Sequence, residues 1–274
     1  MRSESWRSCS KKSSSGSYHE VVEPLPAQAS VRFYGELNDH LAPDQQYLTL
    51  EKSFIVAGAV KDLIESFGVP HTEVELILIN GESADFSSLV QNGDRVAVYP
   101  VFESLDVSPE LRVRPGPLRE PKFVLDVNLG RLAGYLRMLG FDSQYRNRAS
   151  DPELVETSVT EHRILLTRDR GLLMHSAVTR GYWVRATDSR LQVAEILERF
   201  DLAGALDPFT RCMACNTLLG PTDPTEVRRR IPPRAAQRYD EFLECPGCRR
   251  VYWQGSHWRR MRRWVEELTH SPAG

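Results

Sequence analysis

Four cysteines in two CxxC turns constrain this chain more than any other feature. Cys212-Met213-Ala214-Cys215 and Cys245-Pro246-Gly247-Cys248 are separated by 29 residues. Each turn can present two thiolates to one ion, and two turns close a tetrahedral shell of four sulfurs. The pattern predicts a structural zinc centre with no open coordination position. The alternative, two separate redox pairs, needs a thioredoxin-like setting that the surrounding sequence lacks. Zinc would then supply much of the folding energy of a unit with little core of its own. His257 is expected to be a surface or packing histidine, because four thiolates fill the shell.

The rest of the chain divides by composition. The first twenty residues hold eight serines and Cys9, and residues 1–28 are expected to form a disordered tail. They lack the apolar stretch of a signal peptide, and no window of about 18 apolar residues occurs, so a cytoplasmic protein without a membrane span is expected. Residues 29–102 alternate apolar strands with one amphipathic segment. Ser30 to Tyr34 reads as a strand, and Tyr47 to Leu50 as its hairpin partner. Ala57 to Gly68 has helical spacing, with Val60, Leu63, Ile64 and Phe67 on one face. Glu75 to Ile79 and Arg95 to Pro100 are strands next to the turn signals Asn80-Gly81 and Asn92-Gly93. This order is that of an α+β β-grasp. The stretch LILINGESADFSSLVQNGDRVAVYP resembles the ubiquitin-like sulfur carriers. Those act through a free C-terminal Gly-Gly, whereas here the chain runs on into Val101-Phe102-Glu103-Ser104. Carrier chemistry is therefore not expected, and the unit is either a docking module for a protein partner or a structural appendage. Residues 103–120 carry Pro109, Pro115 and Pro117 and read as an extended linker.

Residues 121–205 alternate strands and helices, which predicts an α/β domain with a mostly parallel sheet. Lys122 to Asp126 is a short buried-type strand ending in an acid. Gly130 to Gly140 is an amphipathic helix with Leu132, Tyr135, Leu136 and Leu139 on its apolar face. Phe141 to Tyr145 is a second strand, and Asp151-Pro152 opens a helix with Pro152 at its first position. Arg163 to Thr167 and Gly181 to Ala186 are further strands, and Ser189 to Phe200 is a helix.

Ligands of open parallel sheets bind beyond the carboxyl ends of the strands. Three predicted strands deliver an acid there: Asp126, Asp169 and Asp188. Asp151 adds a fourth at a helix start. Taken singly, each could be an ordinary turn or cap residue. Taken together, clustered carboxylates repel unless a cation joins them, and hard oxygen ligands select Mg²⁺ or Mn²⁺. The chemistry that fits is metal-assisted hydrolysis of a phosphodiester. Arg168 and Arg170 flank Asp169 and suit phosphate contact or pairing with the acids. Asn128 is expected to cap the helix that follows Asp126.

The runs FVLDVNLGRLAGYLRMLGFDSQY and RILLTRDRGLL resemble the PIN-like ribonuclease domain at the C-terminus of the mutator-seven exonuclease family. The resemblance spans residues of about 30 to 260. It implies an N-terminal ubiquitin-like domain, a PIN-like domain over 121–205 and a zinc ribbon over 206–266. It implies that Asp126, Asp151 and Asp169 hold Mg²⁺ or Mn²⁺, with Glu153 substituting for Asp151 if the register differs. Asp188 is a further catalytic candidate, although its place varies among PIN domains.

Between Arg211 and Trp264 there are twelve arginines, no lysine and five acids, in a chain of net charge −2. Such a segment suits RNA phosphates. Trp258, Arg259 and Arg262 interleave an aromatic with arginines and are candidates for base stacking and phosphate contact. Equally, the aromatics belong to the ribbon's core and the arginines to a solvated face. Two functions therefore stand: a Mg²⁺- or Mn²⁺-dependent ribonuclease, or a non-catalytic RNA- or ribosome-binding adaptor that uses the ribbon and the β-grasp.

Overall fold

The computed structural model describes residues 26–100 and 121–270. The expected tail, Cys9 and the proline-rich linker lie outside the described residues, apart from the first few residues of the N-terminal strand.

The N-terminal unit is built from β1 (Ala27–Phe33), β2 (Thr49–Phe54), α1 (Val60–Glu65), β3 (Leu76–Ile79), β4 (Glu82–Ala84) and β5 (Arg95–Tyr99). The sheet order is β2-β1-β5-β3-β4, with β1 parallel to β5 and the other neighbours antiparallel. Val31 and Phe33 of β1, Ile77 of β3 and Val96 and Val98 of β5 bury one face of the sheet against Val60 and Ile64 of α1. This is the β-grasp. The helix is shorter than its apolar spacing suggested, ending at Glu65. β2 pairs antiparallel with β1, as expected of the segment around Tyr47–Leu50, and a short 3-10 segment, Gly35–His40, lies in the connection between them.

The second unit contains β6 (Phe123–Leu125), α2 (Gly130–Met138), β7 (Ser143–Tyr145), α3 (Asp151–Thr160), β8 (Ile164–Thr167), α4 (Arg170–Leu173), β9 (Gly181–Trp183) and α5 (Ser189–Arg199). All neighbours in the order β7-β6-β8-β9 are parallel. Side chains alternate along each strand and bury both faces. Phe123, Leu125, Ile164 and Leu166 meet Leu132 and Leu136 of α2 and Val193 and Ile196 of α5. Val124 and Leu165 meet Leu154 and Val155 of α3 and Leu172 and Leu173 of α4. Continuous apolar runs are what a parallel sheet covered on both sides requires. Truncating Leu136 to Ala would cost about 2 to 5 kcal/mol. Gly140 ends α2 with φ of +100°, and a Cβ there would strike the backbone oxygen of Asp207.

The ribbon follows, with β10 (Gly220–Pro221), α6 (Pro224–Val227), α7 (Pro233–Arg238), β11 (Leu243–Glu244), β12 (Val251–Tyr252) and α8 (Ser256–His270). Val227, Ile231, Ala235 and Phe242 form its own small core. Trp264 and Val265 of α8 instead enter the core of the α/β unit, where Trp264 lies edge-on to Tyr135. Among the described residues no helix is long and apolar enough to cross a membrane.

The β-grasp is docked on the outer side of β9. Glu73, wholly buried, accepts from the backbone nitrogen of Trp183, from Arg185 at 2.9 Å, and from His40 at 2.8 Å. The His71 ring meets the Val178 carbonyl at 2.8 Å. An open strand edge is thereby capped by a carboxylate rather than left to pair with another chain.

Candidate functional site

Because the four strands of the α/β sheet run parallel, the segments after β6, β7, β8 and β9 leave from one rim. Asp126 directly follows β6, Asp169 follows β8 by one residue, and Asp151 and Asp188 open α3 and stand just before α5. Asp126 and Asp169 are joined through Thr167. The Thr167 hydroxyl donates to Asp126 Oδ2 at 2.8 Å and accepts from the backbone nitrogen of Asp169 at 2.9 Å. Asp126 is 7% exposed and also accepts from the Val127 backbone nitrogen. Among the described residues neither Asp126 nor Asp169 forms an ion pair with a lysine or arginine.

Asp169 is exposed, and its Oδ1 accepts from Gly171 N at the start of α4. Asp188 is also exposed and caps α5, accepting from Arg190 N and Leu191 N. Those bonds hold its carboxyl below the usual range, helped by Arg190 and Arg131 nearby. Asp151 is exposed in the first turn of α3. The residue before that helix is Ser150, so Asp151 is not its cap and Pro152 is the second residue. Glu153 bonds Ser150 N at 2.7 Å and Ser150 Oγ at 2.9 Å, a reciprocal capping arrangement that also lowers its pKa. Asn128 does not cap α2 as expected. It lies exposed in the 3-10 turn Val127–Leu129, which Asp126 caps.

The acids share a rim but not one tight group. Among the described residues, only the four cysteines bring three or more potential ligand atoms within 4.8 Å of one another. Cys212 and Cys248 Sγ are 3.5 Å apart, and Cys215 and Cys245 Sγ 3.3 Å. Tetrahedral zinc with bonds of about 2.3 Å needs sulfurs about 3.8 Å apart, so a modest expansion admits the ion. The two turns repeat one geometry. Asn216 N bonds Cys212 O and Arg249 N bonds Cys245 O, each at 2.9 Å. Asn216 and Arg249 both take positive φ, 73° and 62°. This donor set can hold zinc. Burial pushes Cys215 up, but Thr217 and the neighbouring thiols bring it down to about 6, while burial and the other thiols raise Cys248 to about 12.

The ribbon is stapled to the α/β unit. The buried Arg137 donates to the Met213 and Ala214 carbonyls within the first CxxC turn. Asn216 donates to Asp142 Oδ1 at 2.7 Å and accepts from Ser143 N. Asp142 is thus a structural acid, paired with Arg163 at 2.6 Å.

The remaining candidates divide. Arg168 is exposed beside the acids, its Nη1 on the Ala186 carbonyl at 3.0 Å. Arg170 faces the β-grasp instead, bonding the His40 carbonyl and lying 5.3 Å over the Trp183 ring. Trp258 is half-buried against Phe209, with Arg262 over its ring. Arg262 pairs with Glu266, and Arg259 reaches the Tyr239 hydroxyl. His257 is exposed and takes no part in the sulfur cluster.

Two family models match this chain. The Mut7-C RNAse domain matches residues 121–265, more than half of it. The chain belongs to the Mut7-C RNAse family. The Mut7-C ubiquitin model matches residues 26–106, the β-grasp and the segment after it. No curated protein and no solved structure matches the chain. The Mut7-C RNAse match takes in the α/β unit and the ribbon together, in keeping with the bonds that join them. Membership supports a nuclease-type function, and the bonds from Thr167 to Asp126 and Asp169 mark a residue that sequence reasoning missed. Thr167 was visible as the polar end of an apolar strand, ILLT, two residues before an acid.

Proposed function

We propose that this Mut7-C RNAse protein hydrolyses RNA phosphodiesters with Mg²⁺ or Mn²⁺ held by Asp126 and Asp169, and that Asp151 and Asp188 complete the acidic rim. The observation that carries this reading is Asp126. A carboxylate taken from water is normally paired or bound to a metal, yet among the described residues this one has only a hydroxyl and an amide for partners. When bound, a divalent ion would activate water and stabilise charge on the phosphate. Thr167 fixes the Asp126 carboxylate and the Asp169 backbone relative to each other. Asp169 keeps its Oδ1 on the start of α4, which orients the carboxyl group. Zinc at the four cysteines would be structural, and the exposed Arg259 and Arg262 would contact the RNA backbone, with Trp258 beside them. The exposed Ile55, Val56 and Leu89 of the β-grasp are apolar side chains that a protein partner could cover.

The test is Asp126→Asn assayed on single-stranded RNA with Mn²⁺. Loss of cleavage by about 100-fold or more with an unchanged fold is expected. Cleavage at the unsubstituted rate removes this site. The separation of Asp151 and Asp188 from a compact carboxylate group favours the second reading, an RNA-binding adaptor without catalysis. That reading requires no cleavage by the unsubstituted protein and RNA binding that survives loss of the acids.

A further inference from the structure

A cavity of about 280 Å³ opens beside the acidic rim, lined by Asn128, Arg131, Arg168, Thr187, Ser189 and Gln192 among others. Three loops contribute to it, and each is one that carries an acid. Asn128 follows Asp126, Arg168 precedes Asp169, and Thr187 and Ser189 flank Asp188. The charged side chains that line it are both arginines, although the rim outside it is acidic. Its volume is at the small end of ligand pockets, the scale of one nucleotide rather than of a duplex.

The cavity wall is held in place. The Ala186 carbonyl accepts from Arg168 Nη1 at 3.0 Å and from Gln192 Nε2 at 2.9 Å, and Gln192 is 5% exposed. The Arg168 backbone oxygen accepts from the Trp183 ring nitrogen at 3.2 Å. Arg168 is therefore anchored at both ends while its guanidinium still borders the cavity. A guanidinium with its orientation fixed loses less entropy when it binds an anion. Hydroxyl groups from Thr187 and Ser189 and the Asn128 amide offer further donors suited to phosphate oxygens.

We propose that this cavity seats a backbone phosphate of a single RNA strand, next to the phosphodiester at Asp126, with Arg131 and Arg168 as its cationic contacts. The proposal rests on the nuclease reading for the identity of the strand, but its binding step is measurable without cleavage. Guanidiniums here would hold the strand in register while the acids stay on the reacting side.

The experiment is fluorescence anisotropy of a labelled single-stranded RNA oligonucleotide with the full chain, in buffer without added divalent ions, across a salt series. Arg131→Gln/Arg168→Gln should weaken binding about tenfold and lower the salt slope by about 1. Arg95→Gln, exposed on the β-grasp, should leave both unchanged. Asp126→Asn should bind at least as tightly as the unsubstituted chain, because it only removes negative charge near the strand. Unchanged affinity and slope in the double variant overturn the proposal, even if the unsubstituted chain cleaves RNA. Arginine-dependent binding without any cleavage upholds it and removes the nuclease reading alone. Equal weakening in Arg95→Gln overturns it as well, since the effect would then be one of general charge.

Discussion

Glu73 and Arg185 meet at 2.9 Å across the junction of the β-grasp and the RNase unit, 112 residues apart in sequence, with the Glu73 carboxylate wholly buried. Arg185 also reaches Asp39 at 2.8 Å and lies over the rings of Tyr182 and Trp183. Removing one partner of a buried pair leaves an uncompensated charge and costs roughly 3 to 5 kcal/mol. Arg185→Ala should therefore undock the β-grasp. Urea unfolding followed by tryptophan fluorescence should change from one transition to two. A single transition at the unsubstituted midpoint would show that the junction contributes nothing.

The same junction should weaken in acid. Burial alone would raise the Glu73 pKa, but the bonds from His40, Arg185 and the Trp183 amide hold it below its ordinary 4.5. A carboxyl depressed in the folded state stabilises above its unfolded pKa, and that contribution is lost as pH falls through and below about 4.5. His71 lies at the same junction and is pushed below its ordinary 6.5, by burial first and by Lys61. A histidine held neutral stabilises least when the unfolded chain is protonated, so its effect is lost as pH falls below 6.5. Both shifts act in one direction. Melting temperature should decline from pH 7 to 5 and more steeply below 4.5, and Glu73→Gln should flatten the lower part.

Zinc removal should reach beyond the ribbon. Arg137 is buried and donates to carbonyls of the first CxxC turn, and Trp264 and Val265 sit in the core of the α/β unit. A collapsed ribbon would leave that arginine without its acceptors and expose that apolar surface. The purified protein should carry about one zinc per chain. Chelation, or Cys245→Ser, should release the metal and lower the melting temperature of the whole RNase unit. Metal loss with an unchanged melt would mean that the ribbon is an independent appendage.

How far the sequence could be read follows from the range of each interaction. The CxxC turns, the continuous apolar runs of β6 and β8, and the acids at strand ends are local patterns, and they led to the sulfur cluster and to the shared rim. Arg170 reads locally as a phosphate contact, yet the β-grasp draws it to the His40 carbonyl, 130 positions away. Nothing near Glu73 marks it as the acid that caps β9. Ser150 and Glu153 form a capping box that sequence spacing does encode, but the Asp151-Pro152 pair masks it. The three-residue strand β4 is too short to show any period.

Thr167 should be the most sensitive residue that does not itself hold the ion. It is fully buried, and among the described residues its hydroxyl is the one group that bonds both Asp126 and the Asp169 backbone. Valine matches its shape but cannot donate to Oδ2 or accept from the amide. In the metal-dependent reading, Thr167→Val should lower RNA cleavage or Mn²⁺ affinity about 10- to 100-fold. Thr167→Ser, which keeps the hydroxyl, should retain most of it. A purely structural role predicts otherwise: both variants would lose stability, and the Mn²⁺ concentration giving half-maximal rate would not move. Titrating Mn²⁺ in the cleavage assay for both variants, alongside their thermal melts, separates the two outcomes.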